Sequence, residues 1–134
     1  MMEKYPVRIL MAFACTFDPG GEEFFEWLMR NGYPELGALS HAIQGDTEAK
    51  DWLMKNGFPQ YAALDSAIDE VEEAQEWLRK NRFELLLVLS HAINNYQDAL
   101  EWFQKRELEI FIIIAQKIRK YLDNKYLDYH KIHF

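Results

Sequence analysis

A chain of 134 residues has the length of one domain with a real core. Its 49% apolar and 28% charged content is that of a folded, soluble domain and not of a disordered chain. Its net charge of −7, with no basic stripe, argues against binding nucleic acid through phosphate neutralisation.

At the N-terminus, Lys4 and Arg8 precede an apolar run over residues 9–15 that has the outline of a short signal peptide. The same run aligns as the second half of a repeat unit, because Tyr5-Pro6 stands where Tyr33-Pro34 and Phe58-Pro59 stand further on. That alignment, with the lone Cys15, predicts a cytoplasmic protein. No apolar stretch approaches the roughly 20 residues of a membrane-spanning helix.

The rest of the chain is repetitive. Its four tryptophans, Trp27, Trp52, Trp77 and Trp102, are spaced 25 residues apart. Each has an acid before it and a large apolar residue after it (Leu28, Leu53, Leu78, Phe103). Fixed self-similarity at such a period marks a repeat architecture. In each unit a first helix carries an apolar stripe such as Ala49, Trp52 and Leu53, and a second carries one such as Leu36, Leu39 and Ile43. Both are too short to stand alone. Asn31-Gly32 and Asn56-Gly57 end first helices, Pro34 and Pro59 open second ones, and Gly45-Asp46 closes one helix and caps the next. In the third unit Arg82 takes the place of the glycine and is expected in a backbone conformation that glycine would occupy more easily. The predicted organisation is all-α, a single α-solenoid of about four and a half repeats and roughly nine helices. It comprises a half-repeat over 5–18, repeats over 24–48, 49–73, 74–98 and 99–123, and a tail or cap over 124–134. The pairs Glu26/Arg30, Asp51/Lys55, Glu76/Lys80 and Glu101/Lys105 read as a solvated helix face, and the tryptophans as core.

The pattern running from Leu39, Ala42 and Ile43 through Gly45-Asp46, Glu48-Ala49, Trp52-Leu53 and Asn56-Gly57 resembles the helical part of an ankyrin repeat. Residues 89–103 echo it. The period is shorter than the ankyrin value of about 33 by the length of the β-hairpin, and the Thr-Pro-Leu-His opening is absent. The resemblance implies stacked helical hairpins that bind protein partners through their inner helices.

No glycine-rich phosphate loop, nucleophile elbow, Cys-x-x-Cys or His-Glu-x-x-His spacing is present. His41 and His91 share the context Leu-Ser-His-Ala-Ile two repeats apart, with Ser66 between them in register. Stacked layers about 10 Å thick would hold the two histidines too far apart for one zinc. His130 and His133 have metal-compatible spacing in a helix but no third ligand. Neither a cofactor nor a metal is therefore expected, and no catalytic residue is assigned.

Equivalent positions diverge in two columns of the second helices, Glu35/Gln60/Leu85/Ile110 and Gly37/Ala62/Leu87/Ile112. Both turn from polar or small to large and apolar, so residues 85–89 and 110–115 are apolar all round and need cover on every side. The cover is either the tail (Tyr121, Tyr126, Leu127, Tyr129, Ile132, Phe134) or a contact with another protein or a second copy. The expected function is a non-catalytic protein-interaction module. Its contact face is centred on Leu85, Leu87, Ile110, Ile112, His41, Ser66 and His91, and its partner is a protein or a homodimer mate, with neither nucleic acid nor membrane. The alternatives are a small histidine-using enzyme or metal-binding protein, and an acidic immunity or antitoxin-type protein that neutralises a basic partner.

Overall fold

A computed structural model describes residues 2–132, and side chains over 2–129. A short 3-10 turn (Met2–Lys4) precedes α1 (Val7–Cys15). Four hairpins follow, α2 (Glu22–Arg30) with α3 (Pro34–Ile43), α4 (Thr47–Lys55) with α5 (Pro59–Ile68), α6 (Glu72–Lys80) with α7 (Glu84–Ile93), and α8 (Gln97–Lys105) with α9 (Glu109–Ile132). The described residues form nine α-helices and no strand, each short helix packed on its neighbours.

The joints are built alike because their sequences are alike. Residues with left-handed backbone recur at 32, 57, 82 and 107 after the first helix of each hairpin, with φ of 90°, 88°, 64° and 57°. In each case the next amide donates to a carbonyl inside the helix, as Phe58 does to Leu53 and Phe83 to Leu78, both at 2.9 Å. This bond satisfies carbonyls that a helix end leaves without intrahelical partners. Arg82 does adopt the glycine-like conformation. Asp46 caps α4, its carboxylate accepting from the amides of Glu48 and Ala49 at 2.9 and 3.2 Å.

The tryptophans border the core and do not fill it, Trp77 and Trp102 being half-buried against it. Trp27 and Trp52 are 39% and 37% exposed, whereas Leu28, Leu53, Leu78 and Phe103 are fully buried. Adjacent residues on a helix project about 100° apart, so only one of each pair can point into the hairpin. The aliphatic or phenyl side chain takes that place. The indoles of Trp52 and Trp77 lie flat on Phe58 and Phe83, which open the following helices, with ring centroids 6.3 and 5.7 Å apart. Nor does the predicted acid–base ladder form. Among the described residues none of those four pairs is within ion-pair distance, and Glu76 instead meets Arg79 at 2.6 Å. Exposed pairs gain little from a fixed geometry.

The stack closes on itself. The inner helices α1, α3, α5, α7 and α9 touch in sequence, and α9 packs along α1. Lys117 of α9 donates to both carboxylate oxygens of Asp18 at 2.9 and 2.8 Å, and Phe17 meets Tyr121 edge to face at 5.9 Å. At the opposite end the Tyr5 hydroxyl donates to Glu35 Oε2 at 2.8 Å, and the Tyr61 hydroxyl donates to Tyr5 at 3.4 Å. Burial raises both phenols above their ordinary value, Tyr61 to about 12.

Closure also settles what covers the apolar inner helices. α7 is packed against α5, α6, α8 and α9 at once, and Leu85, Leu87 and Ile110 are buried. The predicted tail is not a separate element: α9 runs through residues 123 and 124 without a break. Tyr121 and Leu122 pack on the core, but Tyr126, Leu127 and Tyr129 are exposed, so cover comes from neighbouring helices. The side chain of Ile132 and all of Phe134 lie outside the described residues.

Candidate partner-binding groove

The predicted contact residues separate into two sets. Leu85, Leu87 and Ile110 have 7%, 8% and 9% exposure, too little for a free contact face, and Ile112 is half-buried. The column of Gly37 does not face solvent either. A side-chain carbon at Gly37 would meet Met29 Sδ at 2.8 Å and Phe25 at 3.1 Å, so this column packs under the outer helix of its own hairpin. A small residue there is a packing requirement.

His41 and Ser66 pair within their own hairpins, and His91 with the turn that leads into α8. His41 stacks on Phe25 at 3.7 Å between ring centroids, with Nε2 3.6 Å from Glu22. Ser66 accepts from Lys50 Nζ at 2.7 Å, and Lys50 also meets Asp65 at 3.2 Å. His91 leans on Tyr96 at 5.2 Å. Burial, then the Arg79 charge, push its imidazole below the ordinary value, which favours the neutral ring. No two of the three converge on one point. Among the described residues no group of three or more His, Cys, Asp or Glu is placed to hold a metal ion. The His130 side chain and all of His133 lie outside them.

The surface that stands apart is the seam between α1 and α9. The groove between α1 and α3 holds α2, that between α3 and α5 holds α4, that between α5 and α7 holds α6, and that between α7 and α9 holds α8. The fifth groove, between α9 and α1, holds no helix among the described residues. Along it α1 buries Leu10 and Ala14 and α9 buries Ile110, Ile114 and Ile118, with Leu10 and Ile110 lining its upper end. Its walls are the next i, i+4 rows out, Val7, Met11 and Cys15 on one side and Glu109, Ile113 and Lys117 on the other. Val7 is 63% exposed, and Met11 and Ile113 are half-buried. The upper part forms a cleft of about 330 Å³, where Glu3, Glu107 and Glu109 sit at the N-terminal ends of the two helices.

Two further clefts lie on the outer rim. One, beside Trp27, is bounded by Arg8, Ala12 and Phe24; the other, beside Trp102, by His91, Tyr96 and Asp98. Both sit between a hairpin's outer helix and its neighbour and expose apolar rings next to charges. The sequence reading passed over the seam, although a signal for it was present. The described residues comprise five second-type helices and four first-type ones, and a closed arrangement of that kind leaves one groove unfilled by them. No helix of the described residues is long and apolar enough to cross a membrane. Comparison with family models, curated proteins and solved structures finds no match to this chain.

Proposed function

We propose that the chain is a non-catalytic protein-interaction module whose contact surface is the seam between its first and last inner helices. The observation that carries this reading is the fifth groove, an apolar trough with exposed Val7 and half-buried Met11 and Ile113 where every equivalent groove is filled by a helix. A packed repeat protein uses such grooves to seat a helix, and an unfilled one is a place for a partner. The ankyrin-like reading of the hairpins and a cytoplasmic setting belong to the same proposal. The lone Cys15, half-buried at the lower end of the seam with its thiol pushed up by burial, is consistent with a reducing compartment. The acidic cleft mouth supports a partner that is basic where it meets the seam, which is also the chemistry of an immunity or antitoxin-type protein.

The test compares binding by the wild-type chain with binding by Val7→Glu, which changes a residue already 63% exposed, and Met54→Glu, an exposed control on α4. A partner bound by wild type and Met54→Glu, lost with Val7→Glu, and reconstituted from purified proteins supports the reading. Binding indifferent to Val7→Glu refutes it.

A further inference from the structure

We propose that the occupant of the seam is one amphipathic α-helix of another protein, laid antiparallel to α1 and α9, with an apolar i, i+3, i+4 stripe and a cationic last turn. This inference rests on the reading of the seam as the contact surface. The fold supplies the template four times over. Successive helices are joined by short turns and alternate in direction, so α2, α4, α6 and α8 each run antiparallel to the two inner helices they lie between. Each buries a residue of one stripe (Leu28, Leu53, Leu78, Phe103) and carries a base in its last turn: Arg30, Lys55, Arg79 with Lys80, and Lys105. A helix in the fifth groove would take the same direction. Its C-terminal turn would then lie beside the start of α1 and α9.

That end is where Glu3, Glu107 and Glu109 line the cleft, and among the described residues none of them is within ion-pair distance of a cation. A cationic last turn is complementary both to these carboxylates and to the occupant's own helix dipole. At the other end the one wall cation, Lys117, is already held by Asp18. Charge therefore selects an orientation as well as a partner class. The matching length is that of α1, 9 residues, or about 14 Å at 1.5 Å per residue.

The probe is a fluorescein-labelled, helix-stapled peptide with the sequence of residues 72–82, which has the apolar stripe and ends on Arg79, Lys80 and Arg82. It is titrated with the full chain by anisotropy. Saturable binding on the order of 100 µM is expected, typical of one short helix in a shallow groove, and weaker as salt rises. Val7→Glu in the chain, and separately Glu in place of the three bases of the peptide, should each weaken it by about tenfold or more. Ile113→Glu should do the same, with circular dichroism confirming that the half-buried site still folds. Binding unchanged by Val7→Glu, or none up to about 1 mM, overturns the proposal. If light scattering instead shows a wild-type dimer that Val7→Glu makes monomeric, a second copy covers the seam. The partner-helix proposal then fails while the seam remains a contact surface. If no seam variant alters any association, both fail.

Discussion

Arg82→Gly should stabilise the protein. Arg82 has φ of 64° at the position where Gly32 and Gly57 have 90° and 88°, and its side chain is exposed. The left-handed conformation costs a side-chain-bearing residue about 1–2 kcal/mol. Glycine removes that cost but returns about 0.4–1 kcal/mol through a more flexible unfolded chain. The net gain is about 0.5–1 kcal/mol, which for a domain of this size raises Tm by roughly 2–5 °C. The reverse change is an internal control. A side-chain carbon at Gly57 would meet nothing within 4 Å, so Gly57→Ala adds no clash and should cost about 0.5–1 kcal/mol, the same difference with its sign reversed. Glu70, with φ of 61°, should gain less from glycine, because its carboxylate accepts from the Tyr96 hydroxyl at 2.7 Å and that bond would go. Urea unfolding followed by tryptophan fluorescence gives all three values, with unchanged m confirming that the surface exposed on unfolding is the same. An Arg82→Gly midpoint at or below wild type, or a neutral Gly57→Ala, would refute the strain account.

Leu87→Glu places a carboxyl group in a site with 8% exposure and should cost several kcal/mol, unfolding the chain or sharply lowering Tm; a stable folded protein of altered mass in light scattering would instead mark Leu87 as an intermolecular contact. Asp46→Ala should lose about 1 kcal/mol by removing the cap on α4, read from the urea midpoint. Tyr61 keeps its proton to about pH 12 when folded and to about 10 when unfolded, and Tyr5 is shifted the same way. Their contribution is therefore whole below about pH 10 and falls as pH rises from there toward 12, since the unfolded chain ionises first. Tyr61→Phe should flatten this alkaline loss of stability, and an unchanged pH profile would remove the linkage.

What could be read from the sequence was what short segments determine by themselves. Helix starts and stops follow from Pro34, Pro59, Asp46 and the glycine positions because each acts within one turn, and even the exception at Arg82 follows from register alone. The need to cover residues 85–89 was also legible, because a helix apolar on every side has no other solution, and α7 is enclosed by four helices. Two things were not legible. Trp and Leu at adjacent positions fit an apolar stripe equally well in one dimension. Only the depth of the hairpin decides that Leu53 goes in while Trp52 lies along the rim. The burial of the predicted contact residues has a related reason: the drift from Glu35 to Ile110 records growing enclosure within the stack, and Ile110 of that set also lines the cleft at the top of the seam.

Closure is the other property that no local pattern carries. It depends on a small rotation per repeat summed over five inner helices, and its contacts join residues 99 apart, such as Asp18 and Lys117. An open solenoid buries its terminal helices on one side only and needs polar caps. Here the first and last inner helices cap each other, which is why apolar residues at both chain ends, Leu10 and Phe13 in α1 and Phe111 and Ile114 in α9, are as buried as those in the middle. The same closure creates the seam. Five inner helices need five outer ones to fill every groove, and the described chain supplies four. The closure that removes the solenoid's ends thus leaves one apolar trough with an acidic mouth, because the described helices number five inner and four outer.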